Sequence, residues 1–241
     1  IFAIENPEPV PVNGKKVLID LNHSAGHLRG WGYYNHAQYM TKELLENAGF
    51  EVDINGRDLL SDERLADVDL VICYYYWTGW PGFRSYVKSE LSAVSEFVKN
   101  GGALLVVGCD RKDGDGIMCE AGNELIGEFG LMFELDGISR KHGLAEPVPD
   151  QSLLSFRKPI QVQLPVGVRG EDAMTPLWFD GVPIVRAKTF GSGKVIVAGV
   201  GMSFLDCYLG DFERREPLHR IMFYDFIRYL TGVDCGKISN V

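Results

Sequence analysis

The chain has 241 residues, 46% of them hydrophobic and 24% charged, with a formal net charge of -9. This length is enough for one large α/β domain with a substantial core, and the acidic balance argues against a surface built for nucleic acid or another polyanion. No apolar run approaches the roughly 20 residues that cross a bilayer as a helix, and no charged-then-apolar leader opens the chain.

Residues 1–14 carry closely spaced prolines in ENPEPVPVNG, and they read as an interdomain linker or a processed amino terminus. The chain is therefore expected to be part of a longer polypeptide, with one domain over residues 15–232 and a tail over 233–241. Residues 15–21 (KKVLIDL) predict the first strand. A loop rich in His and aromatics follows, and then Ala37, Met40, Leu44 and Ala48 recur at helical spacing before Gly49. Residues 51–54 predict a second strand, and Ser61 is placed to cap a short helix leading into a strand over 70–75.

The segment EFVKNGGALLVVGCDR, residues 96–111, is the most telling. Val87, Leu91, Val94 and Val98 lie on one helical face, the helix stops at Gly101 and Gly102, and residues 103–107 are apolar on both faces. Such a strand belongs to a sheet covered by helices on each side, where ligands gather beyond the carboxyl ends of the strands. The alternation of strand and helix through the first half predicts a mostly parallel sheet with right-handed crossovers. Later come a short helix over 123–129 and extended segments at 131–135 and 160–164, with residues 140–161 read as a surface excursion. Strands over 182–190 and 194–200 are joined by Gly191-Ser192-Gly193, a hairpin signal, and a last helix over 217–230 precedes Gly232.

These segments, in this order, resemble the class I glutamine amidotransferase-like superfamily. The closest likeness is to its GIFT-type domains of gliding-motility and intraflagellar-transport proteins and to ThuA-like proteins. The resemblance is carried by KVLIDLNHS, YMTKELLENAGFEVD, LADVDLVICYYYW, SEFVKNGGALLVVGC, NELIGEFGLMFELDGIS and GSGKVIVAGVGMSFLD. It implies a flavodoxin-like three-layer sandwich with an appended antiparallel segment. Active amidotransferases share a G-x-C-x-G elbow and a late H-x-E pair. Here Cys109 follows Gly108 directly, Asp110 and Arg111 come next, and no H-x-E occurs, so intact glutaminase machinery is not expected.

Five cysteines without a C-x-x-C pair argue against a zinc ribbon or a thioredoxin-like motif and leave the redox compartment open. His23, His27 and His36 share the first loop but lack the fixed helical face and the carboxylate partner of a metal site, so no metal and no cofactor are expected. His142 and His219 are read as ordinary surface or cap residues. Trp31, Tyr33 and Tyr34 follow the first strand, and Tyr74, Tyr75, Tyr76, Trp77 and Trp80 end or follow the third, so aromatic rings gather at the expected ligand edge. Rings with polar tips suit stacking on sugars or anchoring a protein.

The leading reading is a binding domain that uses Asn22, His23, His27, Trp31, Tyr75, Trp77, Asp110 and Arg111. Its ligand would be a small molecule, with carbohydrate foremost, or a protein partner, as a module of a larger surface or envelope protein. An extracytoplasmic or cell-surface setting is favoured over a cytoplasmic one. The alternative is a hydrolase or transferase with Cys109 as nucleophile, His23 as base, and Asp206 or Asp110 orienting it. A purely structural assembly domain is a third class.

Overall fold

The computed structural model describes residues 13–23, 36–75, 85–109, 112–113, 116–117, 120–134, 138, 142–149, 153–204 and 217–235. The first half alternates as the sequence predicts. Strand β1 (Lys16–Asp20) is followed by α1 (His36–Asn47), β2 (Glu51–Asn55), α2 (Asp62–Leu65), β3 (Leu70–Tyr75), α3 (Lys88–Lys99) and β4 (Ala103–Gly108). Ser61 caps α2, its side chain accepting from the Arg64 N–H at 3.2 Å. There follow β5 (Lys112–Asp113), β6 (Gly116–Ile117), α4 (Glu120–Gly127), β7 (Leu131–Glu134), β8 (His142–Pro147), β9 (Ile160–Gln163) and β10 (Gly167–Gly170). The chain then makes β11 (Met174–Phe179), β12 (Val182–Phe190), β13 (Gly193–Ala198), a 3-10 turn at Met202–Phe204 and α5 (Pro217–Thr231).

Nine strands form one sheet in the order β2-β1-β3-β4-β13-β12-β11-β8-β9. The expectation of a mostly parallel sheet is corrected. Of its eight neighbouring pairs, the four from β2 through β13 are parallel and the four from β13 through β9 are antiparallel, while the separate β7–β10 and β5–β6 pairs are antiparallel too. For β11–β12 and β12–β13 the cause is connection length, because a two-residue link joins only antiparallel neighbours whereas a parallel pair needs a long crossover. Asp180 and Gly181, with φ of 52° and 78°, turn β11 into β12. The predicted Gly191-Ser192 turn, with Gly191 at φ 59°, joins β12 to β13.

Residues 140–161 are also not a surface excursion. β8 lies inside the sheet between β11 and β9, and Ala145, Leu153, Leu154 and Phe156 belong to the core. β8 turns its small residue inward and its large one outward: Ala145 is fully buried whereas Leu144 is 57% exposed. The hydrophobic pattern that marks a half-buried strand is thereby inverted.

The sheet is the middle layer of three. α1 and α5 cover one face through Leu44, Leu45, Met222, Phe223 and Phe226, against Val17, Ile19, Ile72, Leu105 and Ile196. α3, α4, β7 and β10 cover the other through Val94, Val98, Leu125, Phe133 and Val168, against Leu18, Val71, Val106 and Val197. Alternate residues of each central strand go to opposite layers, as the two-residue period of a strand requires. Asp225 of α5 holds the connection between β8 and β9, its Oδ2 accepting from Ser155 N at 2.6 Å and from Ser155 Oγ at 2.8 Å.

Candidate functional site

The strand order 2-1-3-4, with β13 in the fifth place, is that of a doubly wound flavodoxin-like sheet, in which the connections leaving β1 and β3 run in opposite directions, to β2 and to β4. The crevice that such an order opens lies beyond the carboxyl ends of β1 and β3. Register places Asn55, Asp20, Cys73 and Val106 side by side in one row across β2, β1, β3 and β4 at that edge. Asp20 shares its face with Leu18, so its side chain meets the α3 layer.

There it organises a buried polar cluster. Asp20 Oδ1 accepts from Asn55 Nδ2 at 2.8 Å and from Asn22 N at 3.3 Å. Asn55 and Asn22 each also donate to the Asp58 carbonyl, at 2.9 and 3.0 Å, and Asn55 Oδ1 accepts from Asp58 N at 2.9 Å. The ends of β1 and β2 are thus bound to the turn that follows β2. Asp20 Oδ2 lies 3.0 Å from His23 Nδ1, and the other ring nitrogen, Nε2, lies 3.1 Å from Glu90 Oε1. The first contact has hydrogen-bond geometry, whereas the second is at ion-pair distance without an aligned N–H.

Glu90 carries three duties. Its Oε1 accepts from Leu60 N at 3.1 Å and its Oε2 from Val87 N at 3.0 Å, so it caps α3 while it faces His23. Tyr86 stacks on the imidazole at 4.1 Å with the planes 13° apart. The Tyr86 hydroxyl meets that of Tyr75 at 2.6 Å and donates to Cys73 Sγ at 3.8 Å. Burial pushes both the Cys73 thiol and the Tyr86 phenol well above their ordinary ranges, so both stay neutral at physiological pH.

Of the residues singled out from sequence, Asn22, His23 and Tyr75 come together at this crevice, and all three are buried. Cys109 is 1% exposed and packs with Ile72 and Val107 in the α1/α5 layer, whereas Cys73, Tyr75 and Tyr86 pack in the α3 layer. Cys109 and His23 share an edge of the sheet but sit toward opposite faces. His27, Trp31, Trp77, Asp110, Arg111 and Asp206 lie outside the described residues, as do Tyr33, Tyr34, Tyr76 and Trp80. His142 is exposed as expected. His219 is not a surface residue: it is 1% exposed, its Nε2 sits 2.6 Å from the Gln161 carbonyl, and burial lowers its pKa to about 4.

Sequence reasoning missed Glu90, Tyr86 and Asn55. A glutamate three residues into a helix is half of a capping box, but Val87 occupies the position where that signal needs Ser, Thr, Asp or Asn. Among the described residues no cluster of His, Cys, Asp and Glu has a geometry that would hold a metal, and no helix is long and apolar enough to cross a membrane.

No family model matches the sequence, and neither does any curated protein. Solved structures do match in fold. A cytoplasmic protein from Salmonella typhimurium superposes with a TM-score of 0.63 at 18% identity, over 90% of this chain and 98% of its own. The mmIFT52 N-terminal domain gives 0.63 at 17% identity, over 94% of this chain and 100% of its own. A ThuA-like protein from Bacteroides uniformis gives 0.58 at 15% identity, with 91% of each chain covered. Likeness at such identities speaks for the fold alone, which is ThuA-like.

Proposed function

We propose that this ThuA-like fold serves here as a binding module without glutaminase activity, whose ligand or partner meets the carboxyl edge of β1 and β3. The observation that carries the reading is the state of His23. Each of its ring nitrogens faces a carboxylate and one ring face is covered by Tyr86. A general base needs a nitrogen within reach of the proton it removes, and this ring offers none to a thiol or a water at the edge. The burial of Cys109 and the lack of an H-x-E pair support the same reading.

His23 and Tyr75 then act beneath the binding surface, as its support. Contact with the ligand falls to Asn22, His27, Trp31, Trp77, Asp110 and Arg111. Carbohydrate is the ligand class that the aromatic residues following β1 and β3 in the sequence suit best, since an indole ring stacks on the apolar face of a sugar. The test is a panel of neutral mono- and oligosaccharides titrated into the protein, read by tryptophan fluorescence and by amide chemical shifts. Saturable shifts that Trp31→Ala or Trp77→Ala abolishes support the reading. Ammonia released from glutamine, or ester hydrolysis that Cys109→Ser removes, overturns it in favour of the thiol mechanism.

A further inference from the structure

We infer that the cleft between α2 and α3 is a second ligand site, and that it takes a small organic cation, an ammonium group carried on an aromatic body. The cleft lies at the amino ends of β3 and β4, where Asp69 and Gly102 lead into the strands. It is thus at the opposite end of the sheet from the edge assigned above to a ligand, and it does not depend on that reading. Its volume is about 560 Å³, within the roughly 300–1,000 Å³ that small-molecule sites occupy.

The lining divides into an apolar floor and an acidic rim. Leu65 and Val68 from the α2 side and Ala93 from α3 are buried and form the floor, and the half-buried Phe97 adds an aromatic wall. Every charged side chain of the lining is a carboxylate: Asp62, Asp69 and Glu96. The carboxyl end of α3 also opens here, at Asn100 and Gly101, and the negative end of a helix adds to the pull on a cation. The chain's own amines show what this rim accepts. Lys15 Nζ reaches Asp69 at 2.7 Å and Lys99 Nζ reaches Glu96 at 3.0 Å, with the lysine side chains 40% and 57% exposed. Pairs so exposed are weak, and a carboxylate has room for more than one donor, so an incoming ammonium can join them or take their place.

The aromatic wall depends on a missing side chain. A Cβ on Gly102 would lie 2.3–2.6 Å from three atoms of the Phe97 ring, so the ring is seated directly on the Gly102 backbone. Gly102 is not in the left-handed region. What glycine supplies there is space for the ring, not freedom of the backbone. The wall so formed offers its face to a second ring, and the rim offers carboxylates to whatever charge that ring carries. An anion would meet three like charges, and a neutral molecule would gain only the floor and the wall.

The test titrates 2-phenylethylamine, 2-phenylethanol and 3-phenylpropionate into the whole chain and follows backbone amide shifts. The three probes share a ring and differ in charge. We expect saturable shifts at Phe97, Gly101 and Gly102 with the amine, binding about fivefold tighter than the alcohol, and none with the carboxylate. Asp62→Asn combined with Glu96→Gln removes two exposed rim charges, and it should bring the amine down to the affinity of the alcohol while leaving the alcohol unchanged. Gly102→Ala lifts the ring off its seat and should weaken amine and alcohol alike. Amine shifts that are absent, that saturate no more tightly than those of the alcohol or the carboxylate, or that fall at the carboxyl ends of β1 and β3 instead, overturn the proposal. The three probes on the unaltered chain decide even if Gly102→Ala does not fold.

Discussion

Asn55 donates to Asp20 across 2.8 Å, binding the last residue of β2 to the last residue of β1 at the carboxyl edge of the sheet. Because Asn55 also accepts from Asp58 N and donates to its carbonyl, one side chain ties two strand ends to the turn that follows. Removing it as Asn55→Ala takes one donor from Asp20 in a buried site, and should cost about 2–4 kcal/mol. Asn55→Asp keeps the shape but sets a second carboxylate against Asp20, so it should cost more than the alanine variant at neutral pH. Urea unfolding of the two variants checks the order.

His219 makes stability depend on pH in a definite direction. Its pKa is lowered to about 4 in the folded protein, against about 6.5 unfolded, so between these values the unfolded chain binds more protons. Its contribution is present above about pH 6.5, is lost as pH falls toward 4, and amounts to about 3 kcal/mol at most. The urea midpoint of the wild type should therefore drop over that window relative to His219→Gln, which cannot take up the proton. Parallel curves for the two proteins would refute the assignment.

The cysteines are expected to be slow. Cys73 is fully buried with its thiol pushed well up, and Cys235 is pushed up to about 12 by burial, with the Asp234 charge adding to it. Almost no thiolate exists at neutral pH for either, and the thiolate is the reactive form. Iodoacetamide labelling with peptide mapping should find both unmodified until the protein is unfolded. Cys109, 1% exposed, should behave likewise. Rapid native labelling at Cys109 with an apparent pKa below the ordinary thiol range would revive the nucleophile reading.

Two glycines should respond very differently to alanine. A Cβ on Gly193 would overlap the carbonyl oxygens of Val98 and Gly102, because the β12–β13 hairpin runs directly against the end of α3. Backbone cannot yield as a side chain can, so Gly193→Ala should cost about 3 kcal/mol or more or prevent folding. Gly181 has nothing within 4 Å of the corresponding position, and only its φ of 78° resists. Gly181→Ala should cost about 1–2 kcal/mol. Thermal denaturation of the pair separates close approach from backbone conformation.

The parallel half of the fold was legible because its signals are local. Residues 103–107 are apolar on both faces and follow a glycine pair, Ser61 caps the helix it precedes, and Gly191 sits in the hairpin it suggests. β8 was missed because Leu144 points out and Ala145 in, so alternation carried the wrong sense. The buried polar cluster was legible in part at Asn22, His23 and Tyr75, which stand at or just beyond predicted strand ends. Glu90, which meets His23 from α3, lies 67 positions beyond it, and no spacing rule links two residues that meet only through the packing of α3 on the sheet. His219 escaped for the same reason, since its partner Gln161 is 58 positions away in a strand it does not adjoin in sequence.

The place of β13 bears on how the chain acquires its structure during synthesis. β4 is complete by residue 108, yet its neighbour on the far side begins at Gly193, and the helix that covers the α1 side of both ends at Thr231. A nascent chain of about half length holds the parallel strands β2, β1, β3 and β4 with a bare apolar edge at Leu104–Val107 and half of one face uncovered. Such an edge is a template for pairing with other chains. Arrival of β13 and α5, rather than completion of the first four strands, is therefore when this domain becomes safe from its neighbours, and fragments stopped before residue 193 should aggregate where the 241-residue chain does not.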